Sequence, residues 1–291
     1  MKYILKYLEY LKVVKKDSFY TINSYRIDLE EFYDFYVDLL KIDERIVSNY
    51  LEYLYSRKLN RSSIARKISS LRGFYQYLLK EGLVRVNYFR EVSVPKRCEG
   101  LPKFVRSSDI EKLFLVFDKD SAIGQRNSLI LEMLYATGVR VSELVNIKLS
   151  DINRYDKTIK ILGKGRKERV VVYGSYCDRA MELYLNSGRY ELEKRGKSTY
   201  LFLNKNGDRL SDRYVRKIID DVVRKCELDY HISPHTLRHT FATDMINNGA
   251  DLMTVKELLG HSSVNTTGIY THVSSERLKK VYEFAHPRSK M

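Results

Sequence analysis

The chain contains no tryptophan, only three cysteines and four prolines, and no apolar run approaching the ~20 residues of a membrane span. Each scarcity excludes something. Cys98, Cys177 and Cys226 are odd in number, lie far apart and form no C-x-x-C pair, which argues against a disulfide framework and fits a reducing cytosol. The amino terminus, Met1-Lys2-Tyr3-Ile4-Leu5-Lys6, is apolar but broken by Lys6, Glu9 and Lys12, so it lacks the core of a signal peptide. A cytoplasmic protein with no membrane partner is expected. The missing tryptophan stands beside 24 tyrosines, which points to a low-GC coding bias more than to chemistry. Acidic residues are also short: 37 against 52 basic ones leave a formal charge of +15. The first 100 residues carry +6 of it, so the excess is spread and is no basic tail. Such a charge calls for a polyanionic partner, nucleic acid before an anionic membrane.

What is present organises as two domains, which 291 residues with 44% hydrophobic content can fill. Residues 1 to about 82 hold no proline, and Gly73 and Gly82 are their only glycines, so helices are expected. Ser18 or Thr21 can cap a helix carrying Ile22, Tyr25, Leu29, Phe32 and Tyr36. A shorter helix is expected over Ile46–Tyr55. A fourth, from Ser62, places Ile64, Ile68, Leu71, Tyr75 and Leu78 on one face. Its other face carries Arg66, Ser69, Ser70 and Gly73, small and basic enough for a phosphate backbone to come close, or simply a solvated face. Gly82 ends the bundle. Asn87–Phe104, with Pro95, Pro102, Gly100 and the basic pair Lys96-Arg97, reads as an extended linker that suits a clamp around a duplex.

Helices return at Asp109–Phe117, Arg126–Ala136 and Ser142–Asn146, the last after a break at Thr137-Gly138. The period then changes. Thr158–Leu162 and Arg169–Tyr173 are β-branched runs separated by Gly163-Lys164-Gly165-Arg166-Lys167, a hairpin composition. A short strand is expected at Tyr200–Leu203, then helices to the end.

Chemistry-bearing residues cluster in the last third. His235, Arg238 and His239 share one face of a helix opening at Pro234, an anion-favouring position. His235 and His239 have the spacing of a metalloprotease pair. Thr236 stands where that motif needs glutamate, however, and Arg238 would repel a cation, so metal is disfavoured. Arg140 opens the helix that holds Glu143, and its planar fork suits a phosphate. His261 follows Gly260 at an expected helix end, and Tyr270 comes nine residues later. Singly, each has a bland reading: a surface charge, a structural histidine, one tyrosine among many. Their co-occurrence changes the odds.

Together they resemble the tyrosine recombinases (the phage integrase family), and within them the Xer branch. Ala136-Thr137-Gly138-Val139-Arg140-Val141-Ser142-Glu143-Leu144 is similar to the first arginine box, and Gly163–Arg169 to the lysine hairpin. His235-Thr236-Leu237-Arg238-His239 and Leu259-Gly260-His261 resemble the second box, and Tyr270-Thr271-His272 the nucleophile segment. Ser63–Leu83 resembles the core-binding bundle, and His286-Pro287-Arg288 the end of Xer proteins; Asn87-Tyr88 departs from an expected Asn-Pro.

The resemblance implies a mainly α fold with a small antiparallel β-sheet. It implies a SAM-like core-binding, DNA-binding bundle at 1–83, a basic linker at 84–105, and a catalytic domain at 106–291 ending in an exchange helix. It implies that Tyr270 attacks a scissile phosphate to form a 3′-phosphotyrosyl link. His235 would be the base, Arg140, Arg238 and His261 would hold the nonbridging oxygens, and Lys164 would be the acid. Glu143 would orient its neighbours, and His239 would pack in support. No cofactor, metal or ATP is implied. The partners implied are double-stranded DNA and a homo- or hetero-tetramer on paired sites, with a paralogous recombinase and a DNA translocase as further candidates. A mobile-element integrase, a type IB topoisomerase and a non-catalytic DNA-binding protein are the alternatives.

Overall fold

The computed structural model describes residues 1–93, 104–163, 168–194, 196, 198–260 and 272–289, with the backbone alone at 272–275. The chain divides into two compact units, Met1–Glu99 and Gly100–Met291. Lys96, Arg97, Cys98, Lys164, His261 and Tyr270 lie outside the described residues.

The first unit is four helices: α1 (Lys2–Val13), α2 (Phe19–Phe35), α3 (Glu44–Ser56) and α4 (Arg61–Lys80). Each of the last three starts at a side-chain cap: Ser18, Asp43 and Asn60 accept from the backbone N–H three residues on. The apolar stripe of α4 is buried throughout, at Ile64, Ile68, Leu71, Tyr75 and Leu78. It meets Phe32, Tyr50 and Phe89 in an aromatic core whose rings pack mostly edge to face. Gly82 takes the left-handed conformation, φ +69°, that turns the chain out of α4.

Two expectations fail in this unit. The second face of α4 is not a free, small, basic surface. Ser70 is fully buried and donates to Asp28 at 2.7 Å. Arg66 pairs with the same carboxylate, and Lys67 reaches it at 3.3 Å. A Cβ on Gly73 would sit 2.6 Å from the Tyr7 hydroxyl, so this glycine lets α1 pack. Of the four residues, Arg66 and Ser69 are exposed. The linker also begins later than residue 84. Phe89 is buried in the aromatic core, the Arg72 guanidinium donates to the carbonyls of Phe89 and Val92, and the Asn87 side chain bridges Arg72 and Phe89. Phe89 and these hydrogen bonds together hold the stretch against the bundle.

The second unit is built on α6 (Ala122–Thr137), which is buried around almost its whole circumference and so forms the axis of the core. Before it lies α5 (Ser107–Leu115); after it comes the single turn α7 (Val141–Leu144). A three-stranded antiparallel sheet follows, in the order β1 (Ile152–Asn153), β2 (Thr158–Leu162), β3 (Glu168–Val172). Ile161 pairs with Arg169 and Leu162 with Glu168, which fixes the hairpin register. Next, α8 (Ser175–Leu183) runs through a π turn into α9 (Arg189–Leu192). The expected strand at Tyr200–Leu203 is absent; isolated bridges from Tyr200 to Lys148 and from Leu203 to Arg209 hold that segment instead. The unit closes with α10 (Asp212–Lys225), α11 (Pro234–Asn247), α12 (Leu252–Leu259) and α13 (His272–Ala285). Cys177 and Cys226 are free thiols. Among the described residues no helix is long and apolar enough to cross a membrane.

The C-terminal segment, for which the resemblance implies an exchange helix that docks on a neighbour, packs on its own unit in the single chain. Leu278, Tyr282 and Ala285 are buried with Phe241, Met245 and Val172. His286 stacks on Tyr282 at 4.7 Å between centroids and lies against Tyr135 and Phe241. Burial pushes its imidazole down to about 3, so it is neutral. Arg288 pairs with the buried Glu132 and stacks over Phe114 and Tyr176. Deleting residues from Arg277 onward removes these side chains and leaves Glu132 buried without its cation. The expected cost is on the order of 5 kcal/mol, or roughly 10–20 °C in Tm. Calorimetry of the truncated chain checks this; an unchanged melting temperature would show that the segment contributes nothing in cis.

Candidate active site

The site begins where α6 ends. Gly138 adopts φ +59°, and a Cβ there would strike Phe241 at 2.6 Å and Leu259 at 2.9 Å, so the position requires glycine twice over. The turn places Arg140 at the cap of α7. The Glu143 carboxylate accepts the Arg140 backbone N–H at 2.8 Å and its side chain Nη1 at 2.9 Å. The Arg140 side chain keeps 37% of its surface exposed, whereas that of Glu143 keeps 5%.

Arg238 projects inward from the second turn of α11, which Ser233 caps and Pro234 opens. Its guanidinium donates to the carbonyl of Gly138 and, at 2.6 Å, to that of Leu259 at the end of α12. Two of its five N–H donors are spent there, which fixes the group and leaves the others for a ligand. Burial first, then the charges of Arg140 and Arg169, hold its pKa down to about 10. It remains charged at neutral pH. The cationic neighbours mark a place where positive charge is concentrated and an anion would relieve it.

Arg169 is the residue that reading the sequence missed. Its fork grips Glu143 with Nη1 to Oε1 at 2.9 Å and Nη2 to Oε2 at 2.7 Å, and its Nε donates to the Leu258 carbonyl at 3.1 Å. Burial raises the Glu143 carboxyl, but the Arg169 and Arg140 bonds outweigh it and hold the group below its ordinary value. The signal was available. Strand alternation puts Arg169 on the same inward face as Val171, and an inward arginine needs a carboxylate.

His235 and His239 flank Arg238 on α11 and are both exposed, so His239 does not pack as expected. His235, in the first turn, is open to a ligand approaching the helix N-terminus. Gly260 ends α12 at φ +65°, leading directly into the segment that carries His261 and Tyr270. β2 and β3 bracket the segment of sequence that carries Lys164. The guanidiniums of Arg140 and Arg169 thus hold one carboxylate, that of Glu143, and Arg238 lies near enough to feel the charge of all three. Among the described residues no group of His, Cys, Asp and Glu is placed to hold a metal ion.

A helical bundle, a second unit wound about one buried helix, and a fixed arginine cradle leading into a tyrosine-bearing segment define a tyrosine-type DNA strand-exchange enzyme. Residues 103–277 match the phage integrase family, and residues 4–82 match the phage integrase N-terminal SAM-like domain. The chain belongs to the phage integrase family. It is 45% identical to a tyrosine recombinase XerC of Anoxybacillus flavithermus over 97% of both chains. It is 46% identical to a tyrosine recombinase XerC of Staphylococcus saprophyticus, covering 98% of this chain and 97% of that one. Among solved structures it is similar to the XerH site-specific recombinase bound to a palindromic difH substrate after cleavage. That likeness has 27% identity and a TM-score of 0.70 over 90% of this chain and 79% of the other. A lambda integrase dimer bound to a core site, 15% identical with a TM-score of 0.68, shares the fold over 94% of this chain and 98% of that one.

Proposed function

We propose that this chain is a site-specific recombinase of the Xer type that cuts and rejoins double-stranded DNA through a 3′-phosphotyrosyl intermediate. The Arg140–Glu143–Arg169–Arg238 cradle is the observation that carries the reading, together with the XerC likeness along nearly the whole chain. Arg140 and Arg238 hold the two nonbridging oxygens of the scissile phosphate, and His261 donates to one of them, stabilising charge as the phosphorus becomes pentacoordinate. A tyrosine has an ordinary pKa near ~10, so Tyr270 needs a base, and His235 at the exposed head of α11 serves. The Tyr270 oxygen bonds to phosphorus, the bond to the 5′ oxygen breaks, and Lys164 supplies that oxygen's proton. Rejoining runs the same steps backward from a 5′-hydroxyl of the partner duplex. The phosphodiester energy stays in the phosphotyrosine, so no nucleotide is consumed. Glu143 orients Arg140, and exposed His239 is a supporting residue at most.

The first unit serves as the DNA-binding core domain, with the basic stretch around Lys96 and Arg97 joining it to the catalytic unit. On α10, Arg213, Arg216 and Lys217 are exposed and give DNA a further basic face. Working copies form a tetramer on two paired sites in the cytoplasm, and exchange of α13 between copies requires it first to leave its cis seat. Resolution of chromosome or plasmid dimers is the biological outcome, with a paralogous recombinase or a DNA translocase as candidate partners.

Sequencing the DNA trapped covalently on the protein in cells tests this. One locus per replicon is the expected result. Ends of mobile elements would make the protein an integrase, and a genome-wide scatter with relaxation of any supercoiled plasmid would make it a topoisomerase.

A further inference from the structure

We propose that Arg169 is a positioning residue that takes up the charge of Glu143 and so keeps Arg140 available to the scissile phosphate. The inference rests on the reading of Arg140 as a phosphate clamp. Glu143 is saturated: Oε1 accepts from Arg140 Nη1 and Arg169 Nη1, and Oε2 from Arg169 Nη2 and the Arg140 backbone N–H. The two bonds from Arg169 are the fork-shaped pair that best matches a carboxylate. Arg140 therefore makes only one side-chain bond to Glu143, through Nη1, and its fork stays partly exposed.

Without Arg169 that balance changes. Glu143 is too buried for water to solvate its charge, so its remaining cation, Arg140, would turn fully toward it. A clamp neutralised by its own neighbour cannot neutralise a phosphate, and a poorly compensated carboxylate beside the site would repel one. A simple contribution to folding does not account for the rest of the geometry. The same guanidinium spends its Nε on the Leu258 carbonyl, while the next carbonyl, Leu259, is taken by Arg238. Room for this exists because position 260 is glycine: a Cβ there would lie 2.8 Å from the Arg169 side chain. Arg169 also stands in β3, five residues after Lys164 in the sequence. One side chain thus ties the hairpin, the first arginine and the end of α12, three of the segments that supply reacting groups.

Lysine keeps the charge but cannot reproduce the fork or the Nε bond. The test uses R169K and R140A in the full chain on the duplex recovered from the covalent complexes. A nick traps the adduct, and the scissile position is either an ordinary phosphodiester or a methylphosphonate. The methylphosphonate carries no negative charge, so it does not need Arg140 to neutralise it.

On the phosphodiester, R169K is expected to bind within about threefold of wild type and to form adduct about 100-fold more slowly. On the methylphosphonate the gap should close to within about fivefold, as it should for R140A, and R169K with R140A should be no slower than R140A alone. Wild-type speed for R169K, an equal defect on both backbones, or full additivity with R140A would overturn the proposal. So would loss of duplex binding with a lowered melting temperature, which would reduce Arg169 to a fold staple. A wild-type chain that forms no adduct on either backbone would instead bring down the reading of the site, and this inference with it.

Discussion

Replacing Tyr270 by phenylalanine is expected to abolish covalent attachment to DNA while leaving half-site affinity within about threefold. The substitution removes one oxygen and keeps the ring. Binding rests on phosphate contacts spread over a chain of net charge +15, none of which depends on that hydroxyl. Bond formation, by contrast, requires the hydroxyl oxygen that phenylalanine lacks. A denaturing gel of protein mixed with a nicked duplex gives the answer. A shifted, denaturation-resistant band from the variant would remove Tyr270 from the mechanism.

Arg238→Gln is expected to slow adduct formation by at least about 100–1,000-fold, the range seen when one fixed donor to a developing oxyanion is lost. It should also lower stability by roughly 1–3 kcal/mol, because the carbonyls of Gly138 and Leu259 lose their donor in a buried setting. The two effects separate in practice: single-turnover cleavage reports the first, and thermal melting the second. Cleavage within about tenfold of wild type, in a protein whose melting temperature has fallen, would leave Arg238 as a structural brace.

Periodicity read the helices well because it reports which face is apolar, and apolar faces are buried whatever they meet. The stripe of α4 and the β2–β3 pair follow from spacing alone. Polar residues were less legible, since their role depends on partners distant in sequence. Ser70 and Arg66 look like a DNA-facing surface until Asp28, some forty residues earlier, is found between them. Arg169 sits in a valine-rich run and gives no sign by itself that Glu143 lies across from it. Phe89 shows the same limit for apolar residues. One aromatic residue in a segment without period cannot reveal that it belongs to the core. The tail shows it again: its helical spacing fits equally well a neighbour's groove and its own unit, and the buried stack of His286 on Tyr282 decides for its own unit in the single chain.

The family motifs made the site legible beyond its physics. They join Arg140, Lys164, His235, Arg238, His261 and Tyr270, of which the structure places the two arginines and His235. Arg140 is held by the Glu143 carboxylate and Arg238 by the carbonyls of Gly138 and Leu259, so hydrogen bonds join the two arginine boxes to each other and to the end of α12.

The polarity and address of the covalent link test the central claim most directly. Wild-type protein is trapped on a nicked duplex in the presence of a chelator, the DNA ends are characterised, and the attached peptide is identified by mass spectrometry. The account predicts a blocked 3′ end, a free 5′-hydroxyl and a phosphotyrosine at Tyr270. Attachment to a 5′ end, attachment through any other residue, or no adduct at all would contradict it.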